Sequence, residues 1–134
     1  MSAYSSTPPA KKLGIKSGFK IKLVNAPAHY FQLFTDMPED VHVTEGKEPK
    51  DIIHFFTKEQ KELNKLLPKL KQELVQNGAI WVSWPKKAAG IPTDVTENII
   101  RDLALSIGLV DIKVCAVDDT WSGLKLVIPV KDRI

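Results

Sequence analysis

Asp51 to Trp84 reads DIIHFFTKEQKELNKLLPKLKQELVQNGAIWVSW, and its rhythm changes twice. Asp51 to Phe56, DIIHFF, has the continuous apolar character of a strand buried on both faces. Thr57 and Gln60 form a T-x-x-Q capping box, which predicts a helix beginning directly after the strand. Leu63, Leu66, Leu70 and Leu74 recur at helical spacing and supply its apolar stripe. Pro68 must kink or restart that helix, because its ring removes a backbone donor and crowds the preceding turn. Asn77-Gly78 reads as the left-handed stop beyond its end, and Ala79 to Trp84 as a second buried strand. Two strands joined through a helix lie parallel in one sheet, with a right-handed crossover.

Outward from this unit the pattern repeats. Asp94 to Ile107 carries Val95, Ile99, Leu103 and Ile107 on one helical face, and Gly108 ends it. Leu109 to Val117 and Leu124 to Val130 are alternating runs joined by Asp118 to Gly123, the signature of an antiparallel hairpin. Upstream, Phe19 to Asn25 alternates Phe19, Ile21 and Leu23 with lysines, which predicts the first strand. Asn25-Ala26-Pro27 breaks it, a short helix is expected over Ala28 to Phe34, and Val41 to Thr44 is a weak strand. Residues 1–10 are read as an N-terminal arm in which Tyr4 is the anchor. The expected fold is an α/β, three-layer Rossmann-like open sheet, mostly parallel, with a C-terminal antiparallel hairpin.

The chain has 134 residues, which is the length of one domain, 1–134, able to bury about two-thirds of its unfolded surface. Nineteen Lys and Arg against 16 Asp and Glu give a net charge of +3. Those charges are dispersed rather than gathered in a block, which disfavours nucleic acid as a partner. Cys115 is the single cysteine, so an intrachain disulfide and a paired-cysteine zinc site are excluded, and a reducing cytoplasm is the expected location. No apolar run reaches the roughly 20 residues of a membrane span, so no membrane association is expected.

Open parallel sheets bind ligands beyond the carboxyl ends of their strands. In this chain those ends are Asn25-Ala26-Pro27, Phe56-Thr57, Trp84-Pro85-Lys86-Lys87 and the tip Asp118 to Gly123. The candidate binding residues are therefore Asn25, Trp84, Lys86, Lys87, Asp119, Trp121 and Ser122. Lys86 and Lys87 suit a carboxylate or phosphate, with Ala88-Ala89-Gly90 allowing close approach and the following helix adding its positive end. Equally, they read as loop lysines paired with Asp118 or Asp119. Trp84 and Trp121 suit a stacking wall for a ring, or core packing near strand ends.

Catalytic signatures are missing. His29, His42 and His54 show no helical metal-binding spacing, and His54 lies between Ile53 and Phe55 as a satisfied core histidine would. Cys115 reads as a buried structural thiol. Ser83 and Ser122 lack the G-x-S-x-G elbow. No catalytic residue, metal or cofactor is assigned.

Two resemblances follow from these residues. The element order is similar to the Rossmann-like fold of class I S-adenosylmethionine-dependent methyltransferases, shortened by at least one strand-helix unit. That fold implies a glycine-rich turn after the first strand and an acidic residue closing the second. This chain has Val24-Asn25-Ala26-Pro27-Ala28-His29-Tyr30 at the first place and Glu45 as the candidate for the second. Separately, Tyr4-Ser5-Ser6-Thr7-Pro8 with Ala10 to Ile15, then Trp84-Pro85-Lys86-Lys87, Thr93-Asp94, Leu109-Val110-Asp111 and Asp119 to Leu124 resemble a family of small bacterial proteins of unknown function. The expectation is a non-enzymatic binding module for a small anionic ligand or a protein partner. The alternative is a divergent methyltransferase-like enzyme.

Overall fold

A computed structural model describes residues 7–134. Tyr4, the expected anchor of the arm, lies outside the described residues. Pro9 and Ala10, read as arm, instead begin helix α1 (Pro9–Leu13), whose Ala10 and Leu13 are buried. Asp36 holds the start of α1, its two carboxylate oxygens accepting the amides of Ala10 and Lys11 at 2.8 and 3.0 Å.

The remaining elements are β1 (Lys20–Val24), β2 (His42–Val43), β3 (Lys50–Phe56), α2 (Gln60–Gln72), β4 (Leu74–Pro85), α3 (Glu97–Ser106), β5 (Val110–Ala116) and β6 (Trp121–Val127). The short helix expected at 28–34 is a single 3-10 turn, Tyr30–Leu33. Strand order in the sheet is β2-β1-β3-β4-β6-β5. β1 to β4 are mutually parallel, while β6 runs antiparallel between β4 and β5. The fold is thus α/β with a mostly parallel sheet and antiparallel C-terminal strands.

The boundaries around the crossover helix differ from the sequence reading. Glu59 stands at the N-cap of α2 without a side-chain cap. Asp94 supplies the cap from a distant loop: its Oδ1 accepts the Gln60 amide at 2.8 Å, and its backbone carbonyl accepts the Gln60 side chain at 2.6 Å. Thr57 instead donates to Glu62 at 2.7 Å. Pro68 stays inside α2, and the buried stripe is Leu63, Leu67 and Leu70. Leu74 opens β4 rather than closing the helix. Asn77-Gly78 is therefore strand rather than helix stop; a Cβ at Gly78 would lie 2.8 Å from the Asp51 carbonyl oxygen, so glycine is needed for strand approach, not for a left-handed turn.

Side chains on one face of the sheet, including Ile53, Phe55, Ile80, Val82, Leu124 and Leu126, pack against α2 and α3. The opposite face, with Ile21, Ile52, Ala79, Trp81 and Val127, is covered by α1 and the segment that follows β1. Trp81 is fully buried and donates its indole N–H to the Leu13 carbonyl at 2.9 Å. That bond fixes α1 on the sheet.

Candidate functional site

The carboxyl ends of β1, β3 and β4 share one rim with the start of the antiparallel β6. Register decides what they present there. Pro85 stands opposite Trp121, Trp84 opposite Ser122 and Ser83 opposite Gly123. Successive side chains alternate faces, so the rim has two sides.

On the α2–α3 side, Trp84 packs against the apolar core. The Lys86 amide donates to the Thr120 carbonyl at 2.8 Å, tying the exit of β4 to the turn before β6. Lys87–Ala89 then makes a 3-10 turn, which Gly90 ends at φ 69°. The chain next passes the start of α2, where Thr93 donates to the Lys58 carbonyl at 2.7 Å, and enters α3 at Thr96, whose hydroxyl accepts the Ile99 amide at 3.3 Å. Between these segments lies an open crevice of about 590 Å³ lined by Trp84, Lys86, Lys87, Thr93, Thr96 and Ser122, among others. Lysines, hydroxyls and the amino end of a ten-residue helix face apolar walls from Ile91, Pro92 and Val95. Glu97 also borders it and contributes the single carboxylate of the lining.

Across the carboxyl end of β3, between Trp121 and the start of α2, Asn25 and Trp121 border a second crevice of about 370 Å³ with Phe56, Thr57, Glu59 and Glu62. Asn25 adopts φ 58° and donates its side-chain amide to the Phe56 carbonyl at 3.1 Å. Trp121 meets Phe56 edge to face at 5.1 Å, and Phe56 stacks on His54 at 4.2 Å. The sequence reading offered the two indoles either as a common stacking wall or as core packing near the strand ends, and Trp84 does pack against the core. Both indoles reach one rim, but Trp121 pairs with Pro85 rather than Trp84, so the indoles leave the sheet on opposite faces. Asp119 sits exposed in the turn before Trp121.

Sequence reasoning missed the residue that shapes this turn. Asp118 Oδ1 accepts both the Thr120 and the Trp121 amides at 2.8 Å, and its other oxygen lies 3.6 Å from His29 Nε2. The signal was present in Asp-Asp-Thr, since an aspartate accepting the amide two residues on makes an Asx turn. Thr93 and Thr96 were missed because a hydroxyl next to a helix start reads only as a cap.

Beneath the Trp121 side, His54 is fully buried, with Tyr30 Oη 3.0 Å from Nδ1 and Ser83 Oγ 2.8 Å from Nε2. A neutral imidazole has one donor and one acceptor nitrogen, and hydroxyls match either. Burial lowers the His54 pKa to about 3 and pushes the Tyr30 phenol up. The Cys115 thiol is likewise raised by burial, against the lowering effect of Lys12 and Lys113. Neither His54 nor Cys115 opens onto either crevice.

A family model described as protein of unknown function, DUF3052, matches residues 34–130. The chain belongs to this family. Its W-P-K-K and D-x-T-W-S-G-L pieces, and hence both crevices apart from Asn25, fall inside the matched span. No curated protein matches the chain in sequence. Among solved structures, it is similar to a ribosomal protein L11 methylase from Lactobacillus delbrueckii subsp. bulgaricus, at 10% identity, TM-score 0.58, covering 90% of this chain and 74% of that one. It is also similar to a putative methyltransferase from Thermoplasma acidophilum, at 9% identity, TM-score 0.58, covering 92% and 75%. These likenesses show a methyltransferase-like fold.

The DUF3052 residues at the cofactor position of that fold do not fit S-adenosylmethionine. The turn after β1 is Asn25-Ala26-Pro27, with its amide locked on Phe56 and the Tyr30 amide bonded to the Pro27 carbonyl at 3.0 Å. Tyr30, 2% exposed, is wedged against Phe31, Phe34, His54 and Phe56. A proline stands where a glycine would let the backbone close on a ligand, and aromatic rings fill the space below. Glu45 is exposed, two residues beyond the two-residue β2.

Proposed function

We propose that this protein is a non-enzymatic binding module that holds a small, ring-bearing anion at the carboxyl rim of its sheet, in the crevice between β4 and α3. The observation that supports it is the convergence of Trp84, Lys86, Lys87 and Ser122 on one crevice of about 590 Å³, within the size range of small-molecule sites. Lysine ammonium groups and the positive end of α3 favour an anionic group, while Trp84, Ile91, Pro92 and Val95 offer apolar contact to its body. Asn25, Asp119 and Trp121 border the neighbouring part of the rim and would set which ligands can approach.

The test is a thermal-shift and calorimetry comparison of the full chain with adenosine monophosphate as the ring-bearing probe and S-adenosylmethionine as the cofactor probe. A ligand that binds only the native state raises the melting temperature. The expected result is a rise with the monophosphate that disappears in the double variant Lys86→Ala with Lys87→Ala, while the variant itself stays folded. A folded variant that responds as the parent does defeats the proposal. A response to S-adenosylmethionine alone moves the assignment to a methyltransferase-like enzyme.

A further inference from the structure

Away from the two rim crevices, the α1 side of the sheet holds another hollow, of about 370 Å³. Three segments far apart in sequence wall it: α1 with the residues that enter it, the end of the 3-10 turn Tyr30–Leu33, and the end of β5. Pro8, Pro9, Leu13, Leu33, Phe34 and Val117 give it apolar surface. Among the described residues, Lys12 is the one charged group of the lining, and the hydroxyls of Thr7 and Thr35 are its other polar side chains. The charge balance therefore differs from that of the rim, where Glu97 borders one crevice and Glu59 and Glu62 border the other.

The walls are held by bonds within the chain. Asp36 accepts the Ala10 and Lys11 amides, so the first donors of α1 are already spent. The Leu13 carbonyl accepts the Trp81 indole N–H, and the Phe34 ring leans on the buried Tyr30 ring with centroids 5.1 Å apart. Lys12 Nζ donates to the Ala116 carbonyl at 3.0 Å, which joins α1 to the end of β5 and leaves the ammonium further N–H donors. Lys71 is tied to the Ile107 carbonyl in the same way, so such a bond by itself marks no site. Around Lys12 it places a single cation beside fixed, concave apolar walls, the combination that recognises a small molecule with one polar end.

We propose that this hollow binds a small monocarboxylic acid with an apolar body, its carboxylate on Lys12 and its hydrocarbon against Leu13, Leu33, Phe34 and Val117. One cation matches one carboxylate, whereas a dicarboxylate or a doubly charged phosphate would carry an unmatched charge into apolar surroundings, which is costly. The volume lies at the small end of the range for ligand pockets. The site is independent of the rim reading, since no residue of its lining also lines the β4–α3 crevice.

The experiment titrates the full chain with octanoate, and with octanol and octylamine as the same body under different heads, by calorimetry and by side-chain resonances. Expected are saturable one-to-one binding of octanoate, shifts at Leu13, Leu33, Phe34 and Val117, and affinity at least about fivefold weaker for octanol, which lacks the charge-assisted contact. Lys12→Gln should weaken octanoate by at least about fivefold and octanol little, while Lys12→Arg keeps most of the affinity. Leu33→Trp, which adds bulk to a wall, should weaken octanoate and octanol alike. Should Lys12→Gln melt before binding can be measured, the head-group series and Leu33→Trp decide alone. The proposal is overturned by absent saturation, by equal affinity for the three heads, by unchanged octanoate binding in folded Lys12→Gln or Leu33→Trp, or by shifts at Trp84 and Thr96 instead. It is equally overturned by nuclear Overhauser contacts from Tyr4 to Phe34 and Val117 in the ligand-free chain, or by self-association that octanoate does not reverse, since the hollow would then be filled by the chain itself or by a second copy.

Discussion

His54 sits where a histidine is expensive, fully enclosed and between two hydroxyls. Its pKa near 3 in the folded chain, against an ordinary 6.5, means that the unfolded chain takes up a proton the folded one refuses. The sign follows: stability is highest above the ordinary value and falls as pH drops below it, by about 1.4 kcal/mol per unit toward the folded value. Urea unfolding compared at about pH 7 and about pH 5 should show a loss near 2 kcal/mol in the parent and a much smaller one in His54→Gln, whose neutral amide can bond both hydroxyls. Equal losses in the two chains would mean that other groups carry the effect. The burial of this histidine is readable from its neighbours Ile53 and Phe55. Its partners are not, because Tyr30 and Ser83 lie 24 and 29 residues away and meet it only through the sheet.

Among elements, α2 has the most instructive start. Its capping group comes from residue 94, so the helix and the loop bordering the β4–α3 crevice are stabilised by the same carboxylate. Asp94→Ala should cost about 1 kcal/mol, the usual worth of a cap, and should also weaken ligand binding at that crevice. Asp94→Asn keeps an acceptor and should recover most of both. A chain that loses stability but not binding would show that the loop needs no such anchor. Local sequence pointed to Thr57 and Gln60 because a capping box is read within four residues. A cap delivered across 34 residues has no local signature. The same limit explains Asn77-Gly78, where a dipeptide that commonly ends helices serves instead as a point of close contact between β3 and β4. Periodicity, by contrast, located β1, β3, α2, α3 and β5 to within a few residues, since each buries a regular face.

At the level of the molecule, alternation of strands and helices was enough to predict a mostly parallel sheet, and the strand-end rule placed Trp84, Lys86, Lys87 and Ser122 at one rim. The face on which each indole emerges was not legible. It depends on whether Trp84 or Pro85 stands opposite Trp121, a one-residue question of register that composition leaves open. Register also makes β6 the strand on which cooperativity depends. Leu124, 1% exposed, lies between β4 and β5 and beneath the α2–α3 layer. Leu124→Ala should cost about 3 kcal/mol, with circular dichroism and tryptophan fluorescence reporting one coincident transition. Separate transitions would mean that β5 and α3 can detach while β1 to β4 persist.

Because β6 is threaded between two strands that both precede it in the chain, β4 and β5 never meet, and neither gains its final neighbour until Trp121 to Val127 has been made. Until then the edge of β4 that β6 covers carries unpaired backbone N–H and C=O groups, an interval in which a chaperone or a neighbouring nascent chain has its best access to it.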